Sequence, residues 1–245
     1  MILLTVVVGC ASPAGSPASG SQTPARTAAL TARPTASPSP SAVPAGLIRY
    51  VALGASDAVG IGATDPARGS WPARVAALMP PGSTFTNLAV SGSLVLQALR
   101  EQLPGAIAQR PTVVTVWLAV NDLNATIEAS SYGESLGAIV DGLVRSTDAT
   151  IFVGNVPDLR SVPVYASVDK ARLLVGITAY NDVIAAVAAK ASGRVVPVDL
   201  FTGSAALVST ATVSSDGFHP SDSGYQLIAD RFAAAMRAKG VPLRS

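Results

Sequence analysis

A three-layer α/β/α sandwich on a mostly parallel, five-stranded sheet is the fold this sequence predicts, on three observations. Short β-branched apolar runs alternate with longer Ala- and Leu-rich segments, the order that produces parallel strands covered by helices on both faces. Apolar residues make up 49% of the 245 and charged residues only 13%, enough apolar material for one sizeable core. The longer segments carry a helical period, most plainly near the C-terminus.

In chain order, residues 1–8 are almost wholly apolar and lead through Val7-Val8-Gly9 to Cys10, the sole cysteine. This segment is too short to span a bilayer as a helix. One cysteine excludes an intramolecular disulfide and a cysteine-rich metal site. Residues 11–46 are rich in Ala, Ser, Pro and Thr, and their seven prolines interrupt any Ala-driven helix. They are expected to form a flexible, partly extended linker ahead of a single domain at 47–245. Within that domain, strands are predicted at 48–53, 85–89, 113–120, 151–156 and 194–198, each short, apolar and rich in β-branched residues. Helices are predicted at 71–79, 94–103, 132–145 and 168–191. A last helix at 221–239 sets Tyr225, Ile228, Phe232 and Ala235 on one stripe.

Charge narrows the function classes. Two of the 17 basic residues, Arg26 and Arg33, precede residue 48, and all 15 acidic residues follow it, so the predicted domain is formally neutral. No basic stripe is available to track a phosphate backbone, so no nucleic-acid partner is expected.

In parallel sheets, sites collect at the carboxyl ends of strands. Ser56 follows the first run in Gly54-Ala55-Ser56-Asp57, where small neighbours leave its hydroxyl unscreened. It is either an exposed nucleophile or a turn or cap serine, with Asp57 as the other candidate cap. The second run ends in Asn87-Leu88-Ala89-Val90-Ser91-Gly92-Ser93, where Gly92 offers an unobstructed backbone N–H, or simply a turn. The third runs into Asn121-Asp122, an amide donor suited to a developing oxyanion beside a carboxylate able to orient the loop, or an Asx turn. His219, the only histidine, lies in Asp216-Gly217-Phe218-His219-Pro220 just before the last helix. A carboxylate three residues upstream can take the Nδ1 proton and leave Nε2 as a base; the alternative is a surface or structural histidine. Any imidazole chemistry must pass through this one residue.

Taken in order, Gly54-Ala55-Ser56, Asn87 through Gly92, Asn121-Asp122 and Asp216 through Pro220 resemble the four signature elements of the SGNH, or GDSL-type, hydrolases, over roughly residues 48–240. The resemblance implies a flavodoxin-like sheet and cleavage of esters or thioesters through an acyl-enzyme, with some members acting on acylated carbohydrates, lipids or aryl esters. It assigns Ser56 as nucleophile, His219 as base and Asp216 as its partner. The N–H groups of Ser56 and Gly92 and the Asn121 amide become oxyanion donors. No metal or cofactor is implied. Two positions depart from the pattern: Ala55 stands where the signature has Asp, and Ala119 where Gly is usual two residues before Asn121. An altered nucleophile turn and a narrower site floor are the corresponding expectations. Ser56 lacks the Gly-x-Ser-x-Gly elbow of the α/β-hydrolases.

The N-terminal ten residues resemble the signal peptide and lipobox of bacterial lipoproteins, without the usual basic start. That implies export, lipidation at Cys10 and a membrane tether, with a secreted soluble form as the alternative. The expected substrate is a short-chain, carbohydrate or lipid acyl ester, either a small molecule or part of a surface. Leu123, Ile127, Tyr132, Val162, Val164, Tyr165 and Phe218 are candidates for an apolar acyl channel. Two other readings stay open: an acyltransferase using the same serine, and a lipid-tethered noncatalytic module that binds glycan or lipid.

Overall fold

The computed structural model describes residues 46–191 and 193–244; Cys10 and residues 11–45 of the linker lie outside the described residues. The elements are β1 (Arg49–Gly54), α1 (Ser56–Val59), α2 (Pro66–Gly69), α3 (Trp71–Ala77), β2 (Thr84–Asn87), α4 (Val95–Ala108), β3 (Val113–Trp117), α5 (Val120–Asn124), α6 (Ala129–Ser146), β4 (Thr150–Gly154), α7 (Lys170–Lys190), β5 (Val195–Val198) and α8 (Asp222–Ala238), with 3-10 turns at Leu159–Ser161, Pro163–Tyr165 and Ser204–Leu207. All five strands are parallel, in the order β2-β1-β3-β4-β5. The chain therefore runs outward from β1 to β2 and crosses back to β3. The carboxyl ends of β1 and β3 flank the switch point where such sheets form a crevice.

Burial on both faces explains why the strands read as continuous apolar runs. In β1, Val51 and Leu53 enter a core with Val95 of α4, Leu136 and Ile139 of α6 and Ile177 of α7. Tyr50 and Ala52 point the other way, into a core with Trp71 and Val75 of α3 and Tyr225 and Phe232 of α8. Trp71 stacks on Phe232 at 4.2 Å and meets the edge of Trp117 at 6.0 Å, joining α3, α8 and β3. The three-layer sandwich is as the sequence predicts.

The ends of two elements move furthest from expectation, for identifiable reasons. The third strand stops at Trp117 and not at Val120, because Ala119 turns the chain at φ +98° and α5 begins at Val120. The helix expected to end at 103 continues to Ala108 with Pro104 inside it. Proline removes one i→i−4 bond, that of the Arg100 carbonyl, and Arg100 lies on the exposed face where solvent can serve it. The short helices α1 and α2 were not anticipated. Asp65 caps α2 by accepting the Ala67 N–H, with Pro66 at its first position.

Candidate active site

Gly54 closes β1 where the chain must fold sharply back on itself. A Cβ at this position would lie 2.6 Å from the Ala58 Cβ, so a side chain is sterically excluded. Ser56 is the first residue of α1 and is only 6% exposed. Ala55, its neighbour, accepts the N–H groups of Ala58 and Val59 through its carbonyl. The turn thus closes through backbone bonds alone, and the missing Asp leaves it formed. Beneath it lies Gln102 of α4, which is buried. Its Oε1 accepts the Gly54 N–H at 3.0 Å, and its Nε2 donates to the Gly54 carbonyl at 3.0 Å and to Ser93 Oγ at 3.2 Å. One side chain therefore ties the turn after β1 to the loop after β2. Sequence reasoning missed Gln102, although a lone amide on the Val95, Ala98, Ala106 stripe was the available signal. Asn87 makes a second tie, donating from Nδ2 to the Ala58 carbonyl at 2.7 Å.

The loop before α8 brings in the imidazole. His219 Nε2 stands 2.9 Å from Ser56 Oγ across 163 residues of sequence, and Nδ1 stands 2.6 Å from Asp216 Oδ2. Asp216 Oδ1 accepts three more bonds, from the Phe218 and His219 N–H groups and from Ser214 Oγ, at 2.8 to 2.9 Å. Desolvation opposes ionisation of Asp216, but these bonds, led by that from His219, outweigh it and hold the carboxyl well below its ordinary range. An ionised Asp216 requires the proton on Nδ1, so Nε2 is the acceptor for the Ser56 hydroxyl. The loop itself is closed by a Val213–Pro220 bridge and by the Ser214 N–H donating to the His219 carbonyl.

The two other donors expected from the sequence lie on the loops after β2 and β3. Gly92 has φ +79°, a conformation natural to glycine. Asn121 donates from Nδ2 to the Ser93 carbonyl at 3.1 Å, which fixes the amide and leaves its second N–H free. Asp122 accepts the Val95 N–H through both carboxylate oxygens at 3.1 and 3.2 Å, clipping the start of α4 to the β3 loop. Burial pushes this carboxyl up to about 6 despite that bond.

At Ala119 the departure from glycine is felt in the backbone: the methyl is packed in the core and the residue is held at φ +98°. A positive φ at alanine costs ~1–3 kcal/mol, whereas glycine in its place would lose ~0.5–1 kcal/mol to backbone entropy and slightly less than 1 kcal/mol for one buried methyl. Ala119→Gly is therefore expected to lie within about 1–2 kcal/mol of neutral in urea denaturation. Ala229→Gly, on the buried face of α8, carries both losses with no strain to relieve and should cost about 2 kcal/mol. Equal losses at both positions would contradict strain at Ala119.

The anticipated acyl channel is divided. Val162 and Phe218 line an apolar cavity between the His219 loop, α8 and the 3-10 turns. Leu123, Ile127 and Tyr165 line a groove beside α7. Tyr132 belongs to neither: it is buried against Tyr180, ring centroids 4.8 Å apart. Val164 is exposed at the surface.

A serine, an imidazole and a carboxylate in one hydrogen-bonded line beside a parallel sheet have the arrangement of a serine hydrolase. The model of the GDSL-like lipase/acylhydrolase family matches residues 52–227, and the chain belongs to that family. Its activity is the hydrolysis of carboxylic esters. No curated protein matches the chain. Among solved structures, TesA is 20% identical, covering 78% of this chain and 98% of that one with a TM-score of 0.60. The psychrotrophic esterase EstA from Pseudoalteromonas sp. is 17% identical, covering 78% and 97% with a TM-score of 0.60. A catalytic mutant of an acetylxylan esterase from Geobacillus stearothermophilus is 17% identical, covering 77% and 94% with a TM-score of 0.63. At these identities the likeness is one of fold.

Proposed function

We propose that Ser56, His219 and Asp216 carry the hydrolysis as nucleophile, general base and orienting carboxylate. The oxyanion is bound by the N–H groups of Ser56 and Gly92 and by Asn121 Nδ2. The observation that carries this reading is the line of two hydrogen bonds, 2.9 Å from Ser56 Oγ to His219 Nε2 and 2.6 Å from Nδ1 to Asp216. His219 takes the hydroxyl proton as Oγ attacks the ester carbonyl, then gives it to the departing alcohol. Water repeats the cycle on the acyl-enzyme. No metal enters these steps.

The substrate is a short-chain, carbohydrate or lipid acyl ester. The apolar cavity beside the catalytic loop, the formally neutral domain and the acetylxylan esterase of like fold support that class. The chain is organised as an export and lipidation segment at 1–10, a linker at 11–46 and the hydrolase domain at 47–245. Cys10 then tethers the enzyme outside the cytoplasm, and the mass of the mature N-terminus tests the lipid directly.

A panel of aryl esters from acetyl to dodecanoyl, offered to the full chain, should show turnover. Asn121→Ala should lower kcat by about 10²–10³ while its lost bond to Ser93 costs only about 1 kcal/mol of stability. An unchanged kcat would remove Asn121 from the oxyanion site.

A further inference from the structure

Residues 48–245 are formally neutral, but the fold sorts their charges by edge. All five strands are parallel, so α3, α4, α6, α7 and α8 end where the strands begin, at the amino edge of the sheet. Arg49 opens β1 there, Arg110 lies between α4 and β3, and Arg194 lies between α7 and β5. Arg145 and Lys190 stand in the last turns of α6 and α7. Arg237 and Lys239 close α8, and the Arg244 N–H donates to the Leu78 carbonyl just past α3. Against these eight basic residues the edge holds two acidic ones, Asp141 and Asp148.

Most of this positive charge is unpaired. Among the described residues, Arg145 alone of the eight has an acidic partner, Asp141 at 4.0 Å. The guanidinium groups of Arg49, Arg194, Arg237 and Arg244 donate to backbone carbonyls, bonds that order the side chains and leave their charge in place. Arg110, Lys190 and Lys239 are exposed, and among the described residues their side chains make no hydrogen bond. Around the carboxyl edge, where Ser56 and His219 meet, acidic residues outnumber basic ones, and Arg68, Arg74 and Arg160 are each paired with an aspartate. The edges lie about 20 Å apart, at ~3.3 Å per residue along the six-residue β1. That exceeds the screening length of about 8 Å at physiological salt, so the two fields do not cancel. A cation at a helix C-terminus stabilises that helix, but this local benefit does not account for the same sign at Arg49 on β1 and at Arg110 and Arg194 in the loops.

We infer that the amino edge is a docking face for an anionic lipid surface, on which the domain rests with its active site opening the other way. The charge runs along the whole width of the sheet, from Arg244 beside α3 to Arg194 before β5, and so suits a broad surface better than a single strand of nucleic acid. The chain also enters the domain at this edge, because residue 46 directly precedes β1. The inference takes its membrane from the proposed Cys10 tether and gives that tether an orientation. The more acidic carboxyl edge is repelled by the same surface. The substrate is then an ester reached from the surrounding solution, and not the lipid on which the domain rests.

The test uses the full chain carrying Cys10→Ser, so that no attached lipid contributes, in flotation with vesicles. Vesicles of phosphatidylcholine with about 30% phosphatidylglycerol should bind the chain, and pure phosphatidylcholine should not. Binding should fall about tenfold or more between about 0.1 M and about 0.5 M salt. Arg110→Gln, Lys190→Gln and Lys239→Gln together should weaken it about 100-fold, each cation near such a surface being worth about fivefold. Arg68→Gln, Arg100→Gln and Arg172→Gln, which remove the same net charge away from this edge, should weaken it far less. Turnover of a soluble aryl ester should be unchanged in the amino-edge triple and should continue on vesicles. Equal losses in the two triples would overturn the inference, since net charge and not a face would then explain binding. Salt-insensitive binding, or turnover lost on the vesicles, would overturn it as well. A DNA duplex bound as tightly as the vesicles would overturn lipid as the partner. If the amino-edge triple fails to fold, the salt and lipid dependence of the parent chain still decides. Binding by a chain whose Cys10 carries no lipid in cells would overturn the tether and support the face. A lipidated chain whose Cys10→Ser form ignores anionic vesicles would overturn the face alone.

Discussion

Ser56→Ala is expected to reduce ester hydrolysis by about 10⁵–10⁶, essentially to background, because a triad without its nucleophile retains little beyond binding and oxyanion stabilisation. Among the described residues the hydroxyl has one hydrogen-bond partner, His219 Nε2, and its removal deletes a single oxygen from a nearly buried position. Folding should therefore survive, and the thermal midpoint should stay close to that of the wild type. His219→Ala should be as damaging, since the chain holds no second histidine to substitute as base. A serine-directed phosphonate should label the wild type at Ser56 and leave Ser56→Ala unlabelled. Wild-type turnover in Ser56→Ala, or labelling elsewhere, would sink the assignment.

Asp216→Asn should lower kcat by about 10⁴. The asparagine Oδ1 can still accept from Phe218, His219 and Ser214, so the loop keeps its shape. The group facing Nδ1, however, becomes an NH₂ donor. Nδ1 must then accept, the proton moves to Nε2, and the ring can no longer take one from Ser56. A kcat within tenfold of wild type would show that Asp216 does not fix the tautomer. The pH dependence of stability has a definite sign. A carboxyl lowered in the folded state contributes stability above its unfolded pKa and loses it as pH falls through the folded value. The variant should therefore be less stable than wild type near neutrality, with the gap closing only in strong acid. Urea denaturation at neutral and strongly acidic pH measures that gap.

Much of this was legible in the sequence, for local reasons. Parallel strands buried on both faces leave unbroken apolar runs, so β1, β3, β4 and β5 could be located from composition and length. Asp216 and His219 are three residues apart, and a carboxylate so close on a short loop can reach Nδ1 without help from the rest of the fold. Ala119 was visible as a departure from glycine, but its consequence was not, because a residue type does not state its φ. Gln102 was hidden for the opposite reason. A glutamine on a helix ordinarily faces water, and only the packing of α4 beneath β1 turns it into a clamp on Gly54 and Ser93.

The sequence by itself determined the layer architecture, the candidate reactive groups and the fact that one histidine must serve as any imidazole base. These follow from periodicity, from spacing within single loops and from counting. Tertiary structure alone decided that Ser56 and His219 meet at 2.9 Å, and that some acyl-channel candidates line a cavity beside the His219 loop, others a groove beside α7, and two neither. The physical reason is that side-chain direction and long-range contact depend on how helices pack across a sheet. That packing joins Ser56 and His219 across 163 positions, which no local pattern encodes.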